Sequence, residues 1–140
     1  MNRIILASHG GMSAGVRDTI GMVLGEMPNL YVVATTRDET ETVLTAARRL
    51  LDSFDPDDQV FILTDVLGGS VNNDMMTLLP EYPKVQIICG MNLSLVLCLC
   101  MAQEPLSPEG IREVISQARS QIIDCTQMLR EREQEGEDDL

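Results

Sequence analysis

The chain has 140 residues, enough for one domain with a substantial core, and its hydrophobic share of 44% and charged share of 23% are those of an ordinary globular protein. The formal net charge of −12 disfavours nucleic-acid binding, because an acidic surface repels phosphate backbones, but it is compatible with a basic protein partner. One histidine and four cysteines without C-x-x-C spacing argue against a metal site.

The first ninety residues alternate between strand-like and helix-like patterns. Short apolar runs bounded by glycine, proline or asparagine predict buried strands at residues 3–8, 30–34, 60–63 and 85–89. Apolar residues at helical spacing predict helices at 12–26, 39–54 and 70–79. Since buried strands that alternate with helices form parallel sheets, we expect an α/β fold with a mostly parallel, doubly wound, four-stranded sheet and helices on both faces.

The pattern is weaker beyond Gly90. Residues 92–103 are typical of a very apolar helix, and Ser107 can cap a further helix from 108 to about 119, with a proline at its first position. Residues 121–127 could continue that helix or form a fifth strand. We predict one domain over 1–130 and an acidic, disordered tail over 131–140, where six of ten residues are acidic.

The apolar runs also bear on the location of the protein. Residues 4–7 are too short for a signal peptide, and residues 93–102, the longest apolar stretch, are too short to span a membrane. We therefore expect a cytoplasmic protein that does not insert into the membrane.

The single histidine, His9, comes directly after the first predicted strand and precedes two glycines. A lone histidine is commonly an incidental surface residue or a satisfied core residue. Here, however, ligands of parallel sheets bind beyond the carboxyl ends of strands, Gly10 lets a backbone approach a ligand closely, and the next helix begins with free N–H groups. Its position therefore predicts functional use of His9.

Two further motifs follow the third strand, which often neighbours the first in such sheets. Asp65 could accept N–H from one imidazole nitrogen, which fixes the tautomer and leaves the other nitrogen as a nucleophile. Gly68, Gly69 and Ser70 at a helix start form an anion-binding corner of N–H groups and a hydroxyl. Each motif alone is also consistent with an ordinary turn. Together with His9 they predict phosphoryl transfer to imidazole, with no metal and no cofactor.

Three segments carry a resemblance to a known family. They are IILASHGGMSAG with LGE at residues 4–15 and 24–26, FILTDVLGGS at 61–70, and GMNL at 90–93. The first two resemble the opening and the second signature of the mannose-family (mannose/fructose/sorbose) IIA component of the sugar phosphotransferase system, and the third resembles its Gly-x-Asn-hydrophobic turn. The resemblance covers residues 1 to about 130.

The resemblance implies a phosphotransferase component that works with proteins on either side of it. His9 would accept a phosphoryl group from the phosphocarrier protein HPr and pass it to a IIB component for sugar uptake. Asp65 would orient His9, while Ser70 with nearby Gly10, Gly68 and Gly69 would hold the phosphate.

The resemblance has two further consequences. Family members are homodimers that exchange an edge strand, for which residues 121–127 are the candidate. The family usually has proline after Gly-Gly-Ser, where this chain has Val71. Because proline lacks an N–H, Val71 adds a hydrogen-bond donor. We expect this to alter the shape of the anion-binding corner rather than the chemistry.

Two alternatives stay open from the sequence. One is the IIA-like subunit of a dihydroxyacetone kinase, which shares the fold and the histidine chemistry. The other is a small α/β binding module without catalysis. A histidine phosphatase is disfavoured because Ser8 stands where the Arg-His-Gly motif of that group has arginine, and because a second histidine is absent.

Overall fold

A computed structural model describes residues 2–38 and 40–138. Its strands form one parallel sheet in the order β2-β1-β3-β4. The strands are β1 (Asn2–His9), β2 (Leu30–Thr35), β3 (Gln59–Thr64) and β4 (Gln86–Cys89). The helices are α1 (Met12–Leu24), α2 (Val43–Ser53), α3 (Ser70–Met76), α4 (Leu93–Met101), α5 (Pro108–Ser120) and α6 (Cys125–Asp138). The predicted four-stranded α/β fold is confirmed.

The core lies on both faces of the sheet, because successive side chains of a strand point to opposite faces. Ile4 and Leu6 of β1 pack in one cluster with side chains of α1, α4 and α5. Ile5 and Ala7 pack on the other face with side chains of α2 and α3. All four are fully buried, as expected of a parallel sheet that is covered on both faces.

Helix ends differ from the predicted ones where a local hydrogen bond sets the boundary. α2 begins at Val43 rather than at residue 39, which lies outside the described residues, because the Thr42 side chain caps it and accepts from the Thr45 amide. α3 ends at Met76 rather than at residue 79, and tight turns follow. Ser107 caps α5 as predicted, accepting from the Gly110 amide.

The C-terminal segment is helical where a strand was one of two predictions. Within the described chain, residues 121–124 form no strand, and α6 begins at Cys125. Glutamate, glutamine and arginine favour a helix here, and Gln127 hydrogen-bonds Glu131 one turn further on. α6 also takes in residues 131–138 of the tail predicted to be disordered, whereas 139–140 lie outside the described residues. All residues of α6 are described and none of them is buried.

None of the helices within the described residues combines the length and hydrophobicity that a membrane crossing requires.

Candidate functional site

The candidate site lies where the carboxyl ends of β1 and β3 meet at the centre of the sheet. β2 lies on one side of β1 and β3 on the other, so the order of strands reverses at this point, which is where open α/β sheets bind ligands. His9 is the last residue of β1, and Asp65 directly follows β3. Ala7 pairs with Thr64 in the parallel register, so His9 and Asp65 emerge at the same edge of the sheet.

Both ring nitrogens of His9 have a partner. Nδ1 lies 2.7 Å from Oδ2 of Asp65, and Nε2 lies 3.0 Å from Oγ of Ser70. The same Asp65 Oδ2 also accepts a hydrogen bond of 2.8 Å from the His9 amide. The imidazole side chain is 49% exposed and the Asp65 side chain only 10%. The His9 ring is therefore anchored by the nearly buried carboxylate of Asp65 and remains open to solvent.

The charge of Asp65 determines which ring nitrogen carries the hydrogen. Burial raises the pKa of the Asp65 carboxyl, but hydrogen bonds from the His9 amide, the His9 ring and the Val66 amide outweigh burial and hold this pKa below its ordinary value. An ionised carboxylate can only accept, so Nδ1 is the donor. In the neutral ring, Nε2 then keeps its lone pair and accepts from the Ser70 hydroxyl. The arrangement presents Nε2 as the nucleophilic atom.

Glycine allows the loop after β3 to approach the imidazole. A Cβ atom on Gly69 would lie 2.8 Å from Val66 Cγ1 and 3.5 Å from His9 Cε1. Gly10 and Gly68 have φ of +54° and +81°, a region that L side chains rarely adopt. The Gly10 amide donates to the Thr35 carbonyl and the Gly69 amide to that of Val66. The N–H groups of Gly10 and Gly69, both predicted to bind phosphate, are thus already bonded, that of Gly10 to the end of β2 and that of Gly69 within the turn after β3.

Ser70 begins α3 directly beside the imidazole. The N-cap of α3 is Gly69, and within the described chain no side chain caps this helix. The first N–H groups of a helix have no partner inside it, and they carry the positive end of its dipole. The Val71 side chain is fully buried in the core. Compared with the proline that the resemblance implies at this position, valine also supplies an N–H to the first turn of α3.

Two buried polar pairs flank the site, and neither includes a predicted site residue. Ser8 Oγ donates to Ser13 Oγ at 2.9 Å and accepts from the Ser13 amide at 2.9 Å, which joins the end of β1 to α1. Thr64 Oγ1 donates to Asn72 Oδ1 at 2.6 Å, which joins the end of β3 to α3. All four residues are buried. The feature of the sequence that could have indicated these pairs is a polar residue near the end of an otherwise apolar strand, Ser8 in β1 and Thr64 in β3.

The imidazole does not line the surface cavities formed by α1, β2 and α2. Cavities of about 420 and 530 Å³ are lined, among the described residues, mainly by α1, β2, α2 and the loops that follow them. Neither lining includes His9, Asp65 or Ser70. The described residues also hold no cluster of side chains of the kind that binds a metal ion.

Comparison with known proteins identifies a family. The sequence model of the protein family EIIA-man, described as the PTS system fructose IIA component, matches residues 3–116 of this chain. The chain is 28% identical over 121 residues to the sorbose-specific EIIA component of Klebsiella pneumoniae, covering 86% of this chain and 89% of that protein. It is 25% identical over 108 residues to the fructose-specific EIIA component of Bacillus subtilis (strain 168), covering 76% of this chain and 74% of that protein.

A solved structure agrees with these matches. A Klebsiella pneumoniae protein described as a phosphoenolpyruvate-dependent sugar phosphotransferase system permease superposes with a TM-score of 0.81 at 27% identity, covering 91% of this chain and 93% of that one. The family model spans most of this chain, and both curated relatives are EIIA components. The predicted resemblance is confirmed, and the chain belongs to the mannose-type (EIIA-man) family of IIA components of the sugar phosphotransferase system.

Proposed function

We propose that this protein is a cytoplasmic phosphohistidine carrier, which accepts a phosphoryl group from HPr on Nε2 of His9 and passes it to a IIB component. Membership of the family supplies the role of a IIA component in the sugar phosphotransferase system. The observation that carries the assignment to His9 is the pair of contacts of its ring, Nδ1 with Asp65 and Nε2 with Ser70.

The transfer is an in-line displacement at phosphorus. The lone pair of Nε2 forms the new N–P bond while the bond from phosphorus to the donor breaks, and the electrons of that bond leave with the donor. The Nδ1 hydrogen stays on the ring, where ionised Asp65 stabilises the positive charge that phosphorylation places on the imidazole. The Ser70 hydroxyl turns from Nε2 to a phosphoryl oxygen, assisted by N–H groups of the first turn of α3.

The exposure of His9 supports donors and acceptors that are proteins. Sites for small molecules are usually concave and bury most of their ligand. The His9 side chain is instead 49% exposed. A half-exposed nucleophile suits a phosphoryl group that arrives on one protein and leaves on another.

Labelling with phosphoenolpyruvate, enzyme I and HPr tests the proposal. Because His9 is the only histidine, the wild type should take up one acid-labile, base-stable phosphoryl group and His9→Gln none. The ¹⁵N spectrum of the single imidazole should then place the phosphoryl group on Nε2. Equal labelling of His9→Gln, or an unlabelled wild type, would refute the assignment. Thermal unfolding of both proteins checks that the substitution leaves the fold intact.

The fate of the label separates the proposal from the dihydroxyacetone kinase alternative. Both curated relatives named above are sugar-specific EIIA components, which favours the sugar branch. We expect labelled protein to lose its phosphoryl group to a IIB component from the same genome. Retention of the label in the presence of that IIB component would contradict the sugar-transport role.

We also propose that the protein is a homodimer, as the family resemblance implies. The segment after α5 supports this proposal, because Ile122 is 82% exposed, Ile123 48% and Leu129 54%, an unusual density of apolar side chains for a free surface. Sedimentation equilibrium should give twice the chain mass, and deletion of residues 121–140 should give a monomer. A wild type that sediments as a monomer at all concentrations would contradict the proposal.

A further inference from the structure

We propose that Thr64 and Asn72 are a positioning pair, which sets the separation of Asp65 and Ser70 and so holds both ring nitrogens of His9 in their contacts. This inference rests on the proposed role of His9 as the nucleophile. The Thr64 hydroxyl donates to the Asn72 side-chain oxygen at 2.6 Å, and the two residues are 0% and 2% exposed.

The pair closes the loop that carries both partners of the imidazole. Asp65 directly follows Thr64, and Ser70 lies two positions before Asn72. The chain between them turns through Gly68, with φ of +81°, and Gly69 is the N-cap of α3. The Thr64–Asn72 hydrogen bond therefore closes the segment that contains Asp65 and Ser70, which contact the two nitrogens of the His9 ring.

Thr64 is a rigid reference point for this loop. It is the last residue of β3 and pairs with Ala7 of β1 on one side and with Cys89 of β4 on the other. α3, in contrast, has seven residues, a length at which a helix is unstable without tertiary contacts. The hydrogen bond, together with the buried side chain of Val71, fixes the start of α3 relative to the sheet.

The polar chemistry of the pair indicates that it sets the orientation of the loop between β3 and α3 rather than adding to the stability of the fold. Buried polar groups cost free energy unless they are hydrogen-bonded, and replacing both partners by apolar groups of similar shape is often neutral. An apolar pair could thus hold α3 against the sheet equally well. It could not specify the orientation of the loop, which a hydrogen bond between two buried atoms does.

Single substitutions of Thr64 test the inference directly. Thr64→Val removes the donor at nearly constant volume, whereas Thr64→Ser keeps it. Thr77→Val is a matched control, because the exposed Thr77 hydroxyl donates to the Asp74 carbonyl at the other end of α3. We expect Thr64→Val to slow phosphoryl uptake by about 10- to 100-fold through misplacement of the ring. Thr64→Ser should recover most of the rate, and Thr77→Val should match the wild type.

The ring of the single histidine gives a second readout that a merely structural role would not change. In the wild type, ¹⁵N spectra of the neutral ring should show hydrogen on Nδ1, and Thr64→Val should show a mixture of tautomers. The double variant Thr64→Val/Asn72→Leu leaves neither partner unpaired, so it should fold stably and still show mixed tautomers and slow uptake.

A stably folded double variant with the wild-type spectrum and rate would overturn the inference. The same holds if Thr64→Val lowers the melting temperature but leaves the spectrum and rate unchanged below it. A wild type that takes up no phosphoryl group would refute the proposed function instead, and the imidazole spectra would still test the positioning pair.

Discussion

Oδ2 of Asp65 accepts two hydrogen bonds from His9, one from its amide and one from its ring. Asp65→Asn keeps the shape of the side chain but removes the charge, and its NH₂ group can face Nδ1. We expect phosphoryl uptake to fall about 10²- to 10⁴-fold, because the wrong tautomer becomes accessible. Initial rates of labelling measure this, and an unchanged circular dichroism spectrum controls for folding. A rate within twofold of the wild type would show that Asp65 does not set the tautomer.

The same variant should change the pH dependence of stability. The pKa of folded Asp65 lies below its ordinary value of 3.8, so its ionised form stabilises the folded state above that pH. The contribution is lost as the pH falls through the lower folded pKa. Urea unfolding should therefore show the largest difference between wild type and Asp65→Asn near neutral pH and a smaller one in acid. A difference that does not change with pH would contradict this.

Gly69→Ala should disturb the site through contact. Its Cβ would lie 2.8 Å from Val66 Cγ1, 3.2 Å from the Val66 carbonyl oxygen and 3.5 Å from His9 Cε1. The exposed Val66 side chain can turn away, but the carbonyl cannot move without shifting the loop. We expect a loss of about 1–3 kcal/mol in the free energy of unfolding and slower labelling.

A second glycine provides the control for that prediction. Gly11 has φ of −85°, and a Cβ there would meet no atom of the described residues within 4 Å. Gly11 is the N-cap of α1 as Gly69 is of α3, so both variants share any effect of alanine at an N-cap. Gly11→Ala should therefore lose clearly less stability to urea than Gly69→Ala. If both variants lost equal stability, contact with Val66 and His9 would not be the cause of the effect at Gly69.

At the scale of elements, α1 contains a glycine that the helix does not need. Gly21 is exposed within α1, and a Cβ there would meet no described atom within 4 Å. Gly21→Ala should raise the free energy of unfolding by about 0.5–1 kcal/mol, because alanine has less conformational freedom to lose. Gly25→Ala, four residues later, should lower it, since Gly25 ends the helix with φ of +84°. Urea unfolding checks both signs, and a shared sign would contradict the argument.

The charge of the whole molecule predicts the salt dependence of the proposed transfer from HPr. A net charge of −12 gives the chain an acidic field, which accelerates encounter with a basic surface and is screened within about 10 Å at 0.1 M salt. We expect the second-order rate of transfer from HPr to fall as sodium chloride rises from low to high concentration, with little change in the rate within the bound complex. Stopped-flow labelling at several salt concentrations measures this. A rate that is insensitive to salt, or that rises with it, would contradict steering by opposite charge.

Much of the fold could be predicted from the sequence, because burial on both faces makes each strand a continuous apolar run. Such a run stops where His9-Gly10 or Thr64-Asp65 begins, so strand ends were predicted to within one or two residues. Helix ends were less accurate, since the hydroxyl of Thr42 rather than hydrophobic spacing sets the start of α2. The segment 121–127 has only a short apolar run, Ile122-Ile123. Its hydrophobic pattern therefore does not distinguish a helix from a strand.

The sequence by itself also determined the members of the candidate site, because His9, Asp65 and Ser70 each lie at the end of an element that a parallel sheet brings to one edge. Only the tertiary structure decided their pairing. A shared Oδ2 atom, a ring nitrogen 3.0 Å from Ser70 Oγ, and the 2.6 Å bond from Thr64 to Asn72 depend on the register of β1 with β3 and on the tilt of α3. The two ring contacts of His9 join residues that are 56 and 61 positions apart, and the Thr64–Asn72 bond depends on how α3 packs against β3. Local sequence patterns do not encode distances of that kind.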